Sequence, residues 1–182
     1  MKKIAMLVGS LRKESFSRKA AESLIALAPE SLKLAIVEIA ELQMYNQDLD
    51  ENPPVTWTSF RDKIREYDGF IFVTPEYNRS VPAVLKNALD VGSRPYGKSV
   101  WNGKPGAVVS VSPGPIGGFG ANHHLRQTLA YLNVPAMAQP EAYVGGAAAL
   151  VDAEGRIADE SRRLSLRKFL IEFEVWVGRN AD

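Results

Sequence analysis

Short apolar runs alternate along this chain with longer stretches of helical period. Ile4 to Val8 is continuously apolar and stops at Gly9, the pattern of a strand buried on both faces. From Ser17 onward, Ala20, Ala21, Leu24, Leu27 and Ala28 recur at three- and four-residue spacing until Pro29, which predicts a helix. Leu34 to Ile39 predicts a second strand, and Asn52-Pro53-Pro54 marks a loop. Trp57, Phe60, Ile64 and Tyr67 trace one face of a second helix. Asp68-Gly69 then turns the chain into Phe70 to Val73, a third strand. Ser80 is expected to cap a third helix, with Pro82 in its first turn and Val81, Val84, Leu85, Ala88 and Val91 as its apolar stripe. Arg94 to Lys104 reads as loop and Ala107 to Val111 as a fourth strand. Gly114 to Gly120 is glycine-rich, and Leu125, Leu129 and Leu132 describe a fourth helix. A weak fifth strand falls within Val134 to Val144. Leu166, Phe169, Leu170, Phe173, Trp176 and Val177 form the stripe of a last helix.

Apolar strands that each lead into a helix imply parallel pairing with both faces covered. The prediction is a doubly wound α/β domain over residues 1–182, with five parallel strands in the order 2-1-3-4-5 and helices on both faces. In such sheets ligands bind beyond the carboxyl ends of the strands, where the strand order reverses. The loops after the first and third strands meet there, with the loop after the fourth beside them.

Composition narrows the chemistry available to those loops. The 182 residues hold no cysteine, which excludes disulfides, thiol nucleophiles, zinc-thiolate sites and iron–sulfur clusters. The two histidines, His123 and His124, are adjacent, so on a helix they point about 100° apart and cannot clamp one metal together. A net charge of +1 gives no reason to expect nucleic acid or an anionic membrane as partner. Lys2-Lys3 before Ile4 to Val8 is too short to be a secretory signal and is followed by Arg12 and Lys13. No run approaches the ~20 apolar residues of a membrane span, so a soluble cytoplasmic protein is expected.

The first loop, Gly9 to Arg18, carries the hydroxyls of Ser10, Ser15 and Ser17 together with Arg12. A helix N-terminus with such donors suits a phosphate, although the same residues also make an ordinary capped helix start. The sequence matches neither the dinucleotide nor the Walker glycine pattern. The second loop, Thr74 to Pro82, is stiffened by Pro75 and Pro82. It displays Tyr77, Asn78 and Arg79, against which a flat heteroaromatic ligand can lie; a rigid turn with Tyr77 as a packing residue is the alternative. The third, Ser112 to Gly120, has four glycines in nine residues, and Ser112 at the strand end is its candidate ligand contact.

Two of these segments, Gly9-Ser10-x-Arg12-x-x-Ser15-Phe16-Ser17-Arg18-Lys19 and Thr74-Pro75-Glu76-Tyr77-Asn78-x-Ser80-x-Pro82-x-x-Leu85-Lys86-Asn87-Ala88-x-Asp90, resemble the NAD(P)H-dependent FMN reductases, and most of all the branch of bacterial quinone and chromate reductases. The resemblance runs from Ile4 to about Tyr143. It implies a flavodoxin-like fold, bound FMN, and NADPH or NADH as co-substrate. Residues Ser10, Leu11, Arg12, Ser15, Phe16 and Ser17 would surround the ribityl phosphate. Pro75, Glu76, Tyr77, Asn78 and Arg79 would line the isoalloxazine, with Ser112 and Gly114 touching the ring from the third loop. Hydride would pass to the flavin and two electrons on to a quinone, flavin, chromate, azo or nitro compound, with no side-chain acid or base assigned. The family also implies a homodimer or homotetramer, with Arg126 and Glu141 at positions used between subunits. Arg79 and Val91 depart from the common pattern, which bears on substrate range more than on cofactor.

Two rivals share the topology. A flavodoxin-like electron carrier would be strongly acidic in order to dock on basic partners, unlike this chain. A receiver domain needs an aspartate where Thr74 stands.

Overall fold

The computed structural model describes residues 1–152 and 155–181. Among them, five parallel strands form one sheet in the order β2-β1-β3-β4-β5, as expected. They are β1 (Lys2–Val8), β2 (Leu32–Val37), β3 (Gly69–Pro75), β4 (Gly106–Val111) and β5 (Ala142–Val144). The helices are α1 (Phe16–Leu27), α2 (Val55–Arg65), α3 (Ala83–Gly92), α4 (Phe119–Tyr131) and α5 (Glu160–Asn180). The three strands that read as unbroken apolar runs are the central ones, and β4 is buried along its whole length. Order reverses between β1 and β3, so the loops following them converge.

Each face of the sheet carries its own core. On one, α1 and α5 pack Leu24, Phe169, Leu170 and Phe173 against Ile4, Met6, Ile71 and Val109. On the other, α2, α3 and α4 cover Ala5, Leu7, Phe70, Phe72 and Val108 with Trp57, Leu85, Leu89, Leu125 and Leu129. Trp101 is fully buried in this second core, edge-on to Phe70 at 5.0 Å between centroids. Its indole lies where a Cβ on Gly92 would come within 2.5 Å, and its Nε1 donates to the Leu89 carbonyl at 2.9 Å. The α3 C-terminus therefore needs glycine for close approach.

Some boundaries differ from the sequence reading. β2 begins two residues earlier than expected, because its pairing with β1 opens at Lys2 and Leu32. β5 shrinks to an edge of three residues. Pro82, rather than Ser80, stands at the N-cap of α3. Ser80 belongs to a tight turn instead: its N–H donates to the Tyr77 carbonyl at 3.0 Å, and the Tyr77 N–H donates back to its carbonyl at 3.1 Å.

Candidate functional site

At the carboxyl end of β1 the chain stays paired for one residue more, with the Gly9 N–H donating to the Val73 carbonyl at 2.9 Å. It then leaves the sheet through Ser10. Ser15 is the N-cap of α1 and accepts from the Arg18 N–H at 3.1 Å. That hydroxyl is buried and serves the helix rather than facing the cleft. No acidic side chain occupies the first turn, so the positive end of the helix dipole stays uncompensated. Ser10, Arg12, Phe16 and Ser17 form one wall of a cavity of about 230 Å³; Pro75, Glu76, Tyr77 and Ser112 form the other. The Arg12 guanidinium lies 5.6 Å from the centre of the Phe16 ring. Ser10 and Arg12 also border a neighbouring cavity of about 140 Å³, where Leu11 and the Arg18–Glu38 ion pair at 2.5 Å are found.

The second loop is a two-residue hairpin. Asn78 (φ 50°) and Arg79 (φ 65°) both adopt left-handed backbone between Tyr77 and Ser80. Tyr77 leaves its ring half exposed on the cleft, while Asn78 and Arg79 sit exposed at the tip. Glu76 does something the sequence did not suggest. Its carboxylate accepts from the Ala121 N–H in the first turn of α4 at 3.0 Å and is only 13% exposed. Glu76 borders the cavity and at the same time holds one carboxylate oxygen at a helix N-terminus, where the dipole stabilises it. Ser80 Oγ bonds His124 Nδ1 at 3.0 Å, a second tie between this turn and α4. Gly120 completes the seam, since a Cβ there would lie 2.8 Å from the Arg79 carbonyl oxygen and 2.9 Å from the Glu76 carboxylate.

In the third loop Ser112 Oγ accepts from the Gly114 N–H at 3.1 Å, and the Ser112 N–H donates to the Val144 carbonyl at 2.9 Å. Gly114 therefore shapes the loop from within, while Ser112 reaches the cavity. Behind this loop His123 Nε2 bonds the Tyr143 hydroxyl at 3.0 Å. Burial, then a hydrogen bond with Glu141, pushes the Tyr143 hydroxyl up to about 12. The two histidines serve different partners, His123 at the sheet edge and His124 at the turn. Arg126 points inward, donating to Asn122 Oδ1 at 2.9 Å and to the Met137 carbonyl at 2.8 Å.

Asn87 stands in the second family-like segment, where the sequence reading assigns it no role. Its buried amide accepts from the Tyr45 N–H at 2.8 Å and donates to the Leu42 and Gln43 carbonyls at 3.2 Å each. It holds the loop after β2 against α3. An amide amid the apolar residues of that helix was the available signal. A larger groove of about 810 Å³ lies between α3 and α4, lined by Arg94, Tyr96, Asn102, Tyr131 and Asn133. Asn102 precedes β4, so the groove lies toward the amino ends of the strands, away from the converging loops.

The cleft donors suit FMN. Two hydroxyls, a guanidinium and the N-terminal turn of α1 line the cleft, donors that suit a phosphate dianion, and the half-exposed Tyr77 ring borders it, a surface that suits a flat ring system. Residues 2–149 match the family model described as NADPH-dependent FMN reductase. A quinone reductase of Pseudomonas putida is 60% identical over 178 residues, covering 97% of this chain and 95% of that protein. A 2-hydroxy-1,4-benzoquinone reductase of Burkholderia sp. is 46% identical, with 96% of each covered. Among solved structures, the FerB flavoenzyme NAD(P)H:(acceptor) oxidoreductase of Paracoccus denitrificans superposes with a TM-score of 0.94 at 37% identity over the full length of both chains. A flavodoxin variant from Pseudomonas aeruginosa reaches a TM-score of 0.58 at 17% identity, a likeness of fold alone.

Proposed function

The chain belongs to the NADPH-dependent FMN reductase family, and on that premise we propose that it is a quinone reductase whose flavin sits in the cleft between the three loops. The observation that carries this reading is convergence: both family-like segments meet at one cavity with donors of the right chemistry. Ser10, Arg12, Ser17 and the α1 N-terminus hold the phosphate, with Leu11 and Phe16 flanking them and Ser15 fixing the helix end. The turn from Glu76 to Arg79 presents its main chain and the Tyr77 ring to the isoalloxazine. Ser112 meets the ring edge, and Pro75 and Gly114 set the loop shapes. When bound, FMN supplies the redox chemistry, taking a hydride from the nicotinamide and passing two electrons to the acceptor. The protein's part is to orient that ring and leave its outer side open to two substrates in turn.

The acceptor class follows the relatives, which are named for quinones. The co-substrate is an intracellular nucleotide, in keeping with a cytoplasmic enzyme, and no described helix is long and apolar enough to cross a membrane. A homodimer or homotetramer is part of the proposal, supported by Tyr96 and Tyr131, 88% and 87% exposed along the α3–α4 groove. Purified protein should carry a flavin spectrum that bleaches anaerobically on adding NADPH or NADH and returns on adding 1,4-benzoquinone. It should oxidise the nucleotide at steady state with no partner protein. Flavin without turnover would favour the electron carrier, and a light-scattering mass of one 20.0 kDa chain would refute the oligomer.

A further inference from the structure

Arg79 is an expensive choice for its position. A two-residue hairpin with left-handed backbone at both central positions favours glycine at the second, and this chain places a long side chain there at φ 65°. The conformation is over-determined by its surroundings. Two main-chain hydrogen bonds between Tyr77 and Ser80 close the turn, and the Arg79 carbonyl abuts Gly120 of α4. Backbone strain held in place in this way clusters at ligand-binding positions. The side chain, by contrast, is nearly unused within the protein. It is 75% exposed, and its polar contact is to Glu76 Oε1 at 3.5 Å, the outer limit of a hydrogen bond. The other oxygen of that carboxylate is committed to α4.

The cleft already has its phosphate-binding arginine. Arg12 lines the cavity beside Ser10 and Ser17, on the α1 side. Arg79 stands across the cleft at the tip of the turn that carries Tyr77. The diphosphate of a nicotinamide dinucleotide is joined to the nicotinamide through a ribose, so it needs a cation beside the ring site rather than within it, and Arg79 is an exposed cation two residues from Tyr77, which lines the cavity. We propose that Arg79 binds the diphosphate of the nicotinamide dinucleotide, a group common to NADH and NADPH, and takes no part in holding FMN through its side chain. The inference rests on the reductase reading above. A planar guanidinium suits a diphosphate through paired N–H donors, and with a net charge of only +1 the protein has no broad field to do the same work.

The test is Arg79→Gly, which keeps and relaxes the turn, beside Arg79→Lys. Affinity of the FMN-loaded protein for NAD+ and NADP+ is measured by calorimetry, and flavin content by absorbance. In Arg79→Gly both nucleotides should weaken about tenfold, by a similar factor, as expected for one lost charge-assisted contact. Arg79→Lys should recover part of the loss. Affinity is expressed per bound flavin, so any effect of the freed backbone on the turn is counted apart. Flavin bleaching by 1-benzyl-1,4-dihydronicotinamide, a hydride donor without phosphate, should slow by a clearly smaller factor than bleaching by NADH or NADPH. Unaltered nucleotide affinity in Arg79→Gly overturns the inference, as does equal slowing with the phosphate-free donor. Wild type that binds neither nucleotide and is bleached by neither would overturn the reductase reading itself.

Discussion

The loop after β1 and the loop after β3 face the same cleft and are built in opposite ways. The first turns donors to the cavity: Ser10, Arg12 and Ser17 line it, while Ser15 caps α1 and Arg18 pairs with Glu38. The second commits Glu76 and Ser80 to the protein and leaves Asn78 and Arg79 exposed at its tip. Glu76 caps α4, Ser80 bonds His124, and two main-chain bonds close the turn. The difference suits the ligand proposed above. A phosphate is recognised by charge and hydrogen-bond donors that adjust to it, whereas a flat ring is recognised by a surface that holds still. The fixed surface here depends on a neighbouring helix.

That dependence is open to attack, most severely at the seam. Gly120→Ala forces a Cβ to 2.8 Å from the Arg79 carbonyl oxygen, and overpacking of this kind costs about 1–3 kcal/mol. Denaturant unfolding should show that loss, and FMN retention should fall with it. Next comes Glu76→Ala, which removes a helix cap worth about 1 kcal/mol. Glu76→Gln, still an acceptor, should lose less. Equal stability for Glu76→Ala and wild type would mean the turn stands without α4. Arg79→Gly runs the other way: relief of left-handed strain should raise stability by a few tenths to about 1 kcal/mol. At neutral pH the smallest effect belongs to β5, beside the third loop. Tyr143 ionises at about 12 in the folded protein, above its ordinary 10.0. Its contribution is therefore full below pH 10 and is lost as pH rises toward 12. Tyr143→Phe should flatten that alkaline decline in unfolding experiments and leave neutral-pH flavin binding in place.

Legibility in the sequence followed the same divide. The central strands announced themselves because burial on both faces demands unbroken apolar runs, as in Phe70 to Val73 and Ala107 to Val111. β5 did not, since a three-residue edge strand leaves almost no pattern. The donors of the first loop were readable from residue types, because Ser10, Arg12 and Ser17 line the cavity with their own side chains. The second loop was readable only in part. Prolines marked it as rigid, but nothing local revealed that Glu76 reaches α4, forty-five residues on, or that Ser80 closes a turn instead of capping α3. Asn87 was hidden for the same reason, its partners lying in the loop after β2. Side chains that line the cavity show their chemistry in the sequence, while those that brace another element show it only in three dimensions.

The central claim is that the free donors of the first loop hold the phosphate of FMN. It is tested most directly by comparing the affinity of flavin-free protein for FMN and for riboflavin, which lacks that phosphate, in wild type and Arg12→Ala. Wild type should prefer FMN strongly. Arg12→Ala should narrow the preference by about tenfold or more, as a lost charge-assisted bond does, while riboflavin affinity stays within about twofold. An equal loss for both ligands, or an undiminished preference for FMN, would contradict the account.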